Sequence, residues 1–477
     1  MPKPRLLGLL LLSVLAANFL AGCITSLAPV QALPREALAD VTEVSVAVGP
    51  GGIKHYAWTE CFGELSEYTC VLVYSRVAAG AVLYSYGFVQ QIGEFARFPD
   101  VAVNSAGDTF VVWSECEDVF TCVDYWTVFP ATNPESVEPQ AELIHSSEVL
   151  SENQPVVEAR GLDVYAAYYL DVSGFTRLRY RQLNGGSSTG YIDSSTLNPV
   201  SVNLAVDTNG DLHAVWVRDP ITPTTSTYVA YANNIASGGN FNAATTFDLG
   251  IDALVTAPDL ALDDDDRAYY AYSIDTPAAD SIWVRCRDSA ANCYRGVTTL
   301  SVPLVSGNWN VYDDVHLEMI GDQPNVVFAA TNDAELYSEV WWYHPPDLPE
   351  ANAAPSQVTD TDPVNEGEPL IVEENSEVGD VPVIGWRQYQ NFILDAQGPA
   401  GNPGHCEGDV FFTYATTSNT RQVFTDRGTC GNYGLDLAAN GAWVAGVFID
   451  EDPDVPSAHA AWTAFNAYVS YVPVVTK

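Results

Sequence analysis

The chain has 477 residues, with 61 Asp and Glu against 19 Lys and Arg and a formal net charge of −42. Such a surface repels nucleic acid and anionic membranes, which excludes both as partners except through a lipid anchor. At 47% hydrophobic residues the chain can build a large core, which excludes intrinsic disorder.

The N-terminus reads as a targeting segment. Lys3 and Arg5 form a positive n-region, and residues 6–20 are a mostly apolar run, short for a membrane-spanning helix. The run ends in Leu20-Ala21-Gly22-Cys23, which resembles the lipobox of bacterial lipoproteins. That resemblance implies cleavage before Cys23, lipid on Cys23, and an exported chain anchored outside a bacterial membrane. An ordinary signal peptide with a chance cysteine is the alternative. Residues 1–22 are thus read as signal peptide and 23–42 as a tether.

From residue 43 a single pattern recurs. A Gly or acidic turn is followed a few residues later by an aromatic: Gly52/Trp58, Gly107/Trp113, Gly161/Tyr168, Gly210/Trp216, Asp266/Tyr272, Gly321/Phe328, Gly379/Trp386 and Gly441/Phe448. The runs around these aromatics are β-branched and of strand length, and turn chemistry such as Asn209-Gly210 punctuates them. Each repeat continues past its hairpin: 227–233 and 243–249 follow Trp216, and 281–287 and 297–302 follow Tyr272. About four strands per repeat is the content of a propeller blade. The expectation is an all-β fold, a single eight-bladed β-propeller of four-stranded antiparallel blades over 43–477, with seven blades as the alternative. Residues 368–431 are the most weakly marked repeat, and 467–475 is read as the outermost strand of the last one.

Nine cysteines leave eight once Cys23 is lipidated, and they fall into close pairs: Cys61/Cys70, Cys116/Cys122, Cys286/Cys293 and Cys406/Cys430. In an exported chain such pairs read as disulfides stapling hairpins.

The repeats resemble blades of the sialidase-like superfamily of secreted bacterial propellers. Pro258-Asp259-Leu260-Ala261-Leu262-Asp263 is like the start of such a blade. The segment 234–241 keeps the Gly and the aromatic of an Asp-box, at Gly238 and Phe241, with Ala236 where the Asp belongs. The Phe/Tyr-Arg-Ile-Pro motif of active sialidases is absent from the sequence, so no catalytic residue is carried over.

Acids close most second strands: Glu60, Glu115, Asp171, Asp219, Asp275, Asp333 and Asp450. Asp100, Asp259, Asp313 and Asp314 precede or open first strands. The expectation is an acidic rim at one channel mouth, able to bind Ca²⁺ or a cationic group. The competing reading is that Asp is a good turn former on an acidic chain. Asp263-Asp264-Asp265-Asp266 reads as a solvated turn, and His213 as a hydrogen-bonded core residue. Gly186-Ser187-Ser188-Thr189-Gly190 matches a nucleophile elbow only formally, because no helix follows it. Trp341-Trp342-Tyr343 is a candidate sugar platform, and Arg160, Arg218 and Arg387 are candidates to join the acids. The functional expectation is a surface-anchored scaffold that binds a glycan, a cation or a basic protein without turnover. The alternatives are an exo-acting glycoside hydrolase or lyase and a structural envelope component.

Overall fold

The computed structural model describes residues 31–32, 40–62, 69–78, 81–88, 95–116, 122–132, 139–145, 154–172, 174–185, 188–195, 198–219, 226–234, 241–250, 254–255, 257–275, 281–288, 292–294, 299–302, 310–331, 338–344, 355–359, 364–376, 379–390, 407–414, 421–423, 435–452 and 455–465. These form antiparallel units of four strands. Unit 1 is Asp40–Val48, Lys54–Phe62, Thr69–Ala78 and Ala81–Gly87; unit 2 is Phe95–Val103, Thr109–Cys116, Cys122–Phe129 and Glu142–Leu143. One parallel bridge, Cys70 to Phe95, joins these two into a single sheet. Unit 3 is Val156–Arg160, Asp163–Val172, Phe175–Gln182 and Thr189–Asp193; unit 4 is Asn198–Val206, Leu212–Asp219, Thr227–Asn233 and Thr245–Gly250. In unit 5 the first strand is split into Leu254–Val255 and Asp259–Leu262, followed by Ala268–Asp275, Ser281–Cys286 and Thr299–Val302. Unit 6 is Asn310–Ile320, Gln323–Thr331, Glu339–Tyr343 and Ser356–Gln357; unit 7 is Val364–Ser376, Gly379–Gln390, Glu407–Tyr414 and Arg421–Val423. Unit 8 is Leu435–Asn440, Trp443–Asp452 and Val455–Phe465, and its fourth strand is Gln31–Ala32 from the other end of the chain.

That last pairing differs from the sequence expectation. The place assigned to 467–475 is taken by Gln31–Ala32, within the segment read as a tether, while 466–477 lies outside the described residues. Pairing with the last strand satisfies backbone groups that an edge would leave open.

The turns follow from local chemistry. Seven of the eight expected turn positions, Gly52, Gly107, Gly161, Gly210, Asp266, Gly321 and Gly441, have φ between 56° and 84°. This is the left-handed region a tight hairpin demands and glycine tolerates. Side chains reinforce the same turn in three units. Asn104 Oδ1 accepts from the amides of Ala106 and Asp108, Asp207 Oδ1 from Asn209 and Asp211, and Asp263 Oδ1 from Asp265 and Arg267. Asp263 also pairs with Arg267 at 2.5 Å, so the four-aspartate run is a braced turn.

Packing runs between units. The first strand of each unit lies beside that of the next along the chain, and the first strand of unit 8 lies beside that of unit 1. The core is a series of apolar layers, one at each described seam. Leu72, Tyr74, Val111 and Trp113 fill the seam of units 1 and 2, and Tyr165, Leu178, Leu212 and Trp216 that of units 3 and 4. Tyr56, Trp58, Ala445 and Val447 join unit 1 to unit 8. Sheets that pack face to face around their first strands have the architecture of a β-propeller. The repeated aromatics hold it together: Trp58, Trp113, Trp216 and Trp386 are all fully buried.

Three expected disulfides are present, Cys61–Cys70, Cys116–Cys122 and Cys286–Cys293, with Cα–Cα separations of 3.9, 4.0 and 6.0 Å. The first two join residues directly opposite each other across antiparallel strands. Cys23, Cys406 and Cys430 lie outside the described residues.

Candidate functional site: the axial cavity

The first strands carry a repeated irregularity. Their register against the second strand shifts between Val41 and Val44, Arg97 and Asp100, Val200 and Asn203, Tyr312 and His316, and Gly367 and Leu370. Phe98 and Ser201 take positive φ at this step. A bulge of this kind re-aims the side chains that follow it. The residue paired one before the blade aromatic is Ser45, Asp100, Val156, Asn203, Asp259, His316, Leu370 and Asp436 in units 1 to 8.

At this position aspartate links neighbouring units. Asp100 Oδ2 accepts the Val157 amide at 2.8 Å, Asp259 Oδ2 the Leu317 amide at 2.7 Å, and Asp436 Oδ2 the Val46 amide at 2.8 Å. The other oxygen of each accepts the amide of the following residue, Val101, Leu260 or Leu437. Ser45 Oγ and Asn203 Nδ2 add donors from the preceding unit, to Asp100 at 3.1 Å and to Asp259 at 2.6 Å. Asp100 and Asp259, read in the sequence as opening first strands, therefore stitch first strands together. The side chains of Asp313 and Asp314 are outside the described set.

Two residues further along, the equivalent position is Ala47, Ala102, Glu158, Ala205, Ala261, Glu318, Val372 and Ala438. Small side chains there leave a cavity of about 450 Å³, lined by first-strand residues of units 1, 2, 3, 4, 6, 7 and 8. Four carboxylates face it: Asp100, Glu158, Glu318 and Asp436. Burial pushes Glu158 up to about 8, with the Asp100 charge adding to the effect. Glu318 is likewise raised to about 8 by burial and then by Asp259, Glu373 and Glu158. Asp436 is raised to about 7, burial leading and Asp100 contributing, and Asp100 to about 6 by burial. Backbone amide bonds pull the other way at all four, two of them at each aspartate and one at each glutamate. At neutral pH both glutamates hold their protons, so the cavity presents carboxylic acids as well as carboxylates.

Of the seven acids expected at the rim, three have described side chains. Glu60 and Glu115 are buried and accept the indole N–H of Trp58 and Trp113, at 2.9 and 3.3 Å, two residues back on the same strand. Asp171 accepts the Gly174 amide in its own hairpin turn. The side chains of Asp219, Asp275 and Asp450 are not described, and Asp333 lies outside the described residues. Among the described residues, no three His, Cys, Asp or Glu side chains come together as a metal-holding group. Of the candidate arginines, Arg160 acts on Glu158 through its charge alone. Arg218 pairs with Asp193 at 2.6 Å, Arg160 with Asp266 at 3.5 Å, and the Arg387 side chain is not described.

Other sequence candidates resolve into structure. His213 is buried and bonds Tyr231 at 2.7 Å, and His55 does the same with Tyr74 at the equivalent place in unit 1. Ser188-Thr189-Gly190 leads into a strand of unit 3, where a nucleophile elbow would need a helix. Tyr343 is buried, while the half-buried Trp341 and Trp342 pack on opposite seams and Trp342 donates to Asn325 at 3.1 Å, so the three rings do not share one face. Phe241 of the Asp-box-like segment packs against the seam of units 3 and 4. Glu158 and Glu318 were missed because each sits inside an apolar strand, VVEAR and VHLEMI. Aligning the first strands would have exposed them as the two acids in a column of Ala and Val.

No family model and no curated protein matches the chain. Solved structures similar in shape include a PL25 ulvan lyase, at 10% identity and TM-score 0.44, covering 72% of this chain and 88% of that one. Others are the β-propeller domain of the Trilobed protease from Pyrococcus furiosus, at 9% identity and TM-score 0.41, covering 82% and 97%, and the GH93 α-L-arabinofuranosidase of Fusarium graminearum, at 9% and 0.42, covering 92% and 97%. At these values the likeness assigns neither a family nor an activity.

Proposed function

We propose that the protein is an exported lipoprotein, anchored through Cys23, whose single eight-bladed propeller closes into a ring and serves as a binding scaffold. Support for closure is the bonding of Asp436 and Asn440 in the last unit to Val46 and Val48 in the first, at 2.8 and 3.0 Å. The ligand site in this reading is the axial cavity, and the observation that carries it is the placing of Glu158 and Glu318 in a ring of Ala and Val. A cationic group entering there displaces protons from the glutamates, so its binding is linked to proton release. Calorimetry of the full chain with diamines and with Ca²⁺, in buffers of different ionisation enthalpy, tests this. Proton release lost in the Glu158→Gln/Glu318→Gln variant supports the reading; no heat with any cation removes it.

A second reading has one observation in its favour. Two glutamates raised to about 8 in one cavity are what a general acid needs, so a glycoside hydrolase or lyase is the runner-up. Turnover of a chromogenic glycoside, abolished by either glutamine, would decide for the enzyme.

A further inference from the structure

One strand carries an unusual concentration of cations. The third strand of unit 3, Phe175–Gln182, reads FTRLRYRQ, so alternation puts Phe175, Arg177, Arg179 and Arg181 on one face. Three of the chain's 19 basic residues thus fall within five positions of a molecule of net charge −42. Tyr191 pairs directly with Arg179 on the next strand and extends the same face.

The face is built from stacked guanidinium and aromatic groups. Arg177 lies 5.4 Å from the Phe175 ring, Arg179 4.7 Å from Tyr191, and Arg181 5.5 Å from Trp126 of unit 2. Phe175 and Tyr191 are 40% and 44% exposed, large values for aromatic rings. The acceptors bonded to the arginines are neutral. Arg179 donates to His145 Nε2 at 3.0 Å, and Arg181 to the carbonyls of Leu143 and Ile144 at 2.7 and 3.0 Å. The one ion pair among the described residues of this face is Arg181 with the exposed Glu142, at 4.0 Å. Arg177 Nη1 and Arg179 Nε are buried and have no hydrogen-bond partner. Both arginines are half-buried, so an anion arriving at this face meets guanidinium charge that no carboxylate among the described residues balances.

We propose that this face binds an anionic polysaccharide, its sugar rings stacking on Tyr191 and Phe175 and its carboxylate or sulfate groups taking Arg177 and Arg179. The arginines at the ends of the stripe stand about 13 Å apart at strand rise, a span of two to three sugars. A neutral glycan leaves the guanidinium charge unbalanced, and a poly-glutamate chain offers no ring to stack. The surface is separate from the axial cavity, and glutamines at Glu158 and Glu318 leave it untouched.

The test is titration of the full chain with polygalacturonate, dextran sulfate, unmodified dextran and poly-glutamate at 0.15 M salt, where repulsion is screened beyond about 8 Å. At least one of the two anionic glycans is expected to bind tenfold or more tighter than dextran and poly-glutamate, and which of them does so identifies the anion. Arg177→Gln/Arg179→Gln is expected to weaken that binding at least tenfold, and Tyr191→Ala several-fold. Tyr191 is exposed, so its variant keeps the test valid if the double variant does not fold. The proposal is overturned if neither anionic glycan binds, if poly-glutamate binds as tightly, or if folded variants bind like the parent.

Discussion

The chemistry of the axis rests on single side chains doing different work at adjacent positions. Asp100, Asp259 and Asp436 spend their oxygens on backbone amides of two units, while Glu158 and Glu318 face the cavity. Their protons have a consequence for stability. Both glutamates titrate near 8 in the folded state, against an ordinary value of 4.5. Between these values the folded chain keeps protons that the unfolded chain has released, so stability falls as pH rises through that window. Glu158→Gln/Glu318→Gln is therefore expected to flatten the decline in melting temperature from pH 5 to pH 8. The variant is expected to be the more stable at pH 8, by on the order of 1 kcal/mol per site or more. Asp259→Ala runs the opposite way. It orphans the Leu317 and Leu260 amides and the Asn203 amide group, and about 3 kcal/mol of destabilisation is expected in denaturant titrations at pH 7.

Among the elements, the hairpin turn was the most legible feature. Gly107, Gly161, Gly210 and Gly441 announce it because only a residue tolerant of positive φ closes so tight a turn. Gly210 is the sharpest case, since a Cβ there would meet Asp163 Oδ2 at 2.5 Å and φ is +81°. Gly210→Ala is expected to lower stability by roughly 1–3 kcal/mol, measured by thermal unfolding, whereas Gly161→Ala, with open space around it, carries the backbone cost alone. Two of the disulfides were legible for a similar reason: Cys61 and Cys70, and Cys116 and Cys122, close in sequence, face each other across antiparallel strands. The axial site was not legible. Glu158 is neighboured in sequence by Val157 and Ala159, and its meaning arises only when eight first strands are set side by side. Glu60 and Glu115 show a related local effect. An acid two residues after a Trp shares its strand face, and the buried indole N–H donates to it there.

For the molecule as a whole, the seam between the last and first units decides what kind of object this is. A linear stack of repeats frays from its ends, because each terminal unit has one neighbour. A ring gives every unit two. Besides the bonds from Asp436 and Asn440, the seam holds Lys54 4.9 Å from the Trp443 ring, and that indole leaves no room for a Cβ at Gly52. In the closed reading, Asp436→Ala/Asn440→Ala weakens a link that all eight units share. Scanning calorimetry is then expected to show one cooperative transition, moved to lower temperature. If the units instead form an open stack, the same change frees only the terminal unit, and a small early transition appears ahead of an unmoved main one. In the closed reading the seam also sets the value of the cavity, since carboxyl groups contributed by units 2, 3, 6 and 8 would act on a common ligand only while a ring holds them at a common axis.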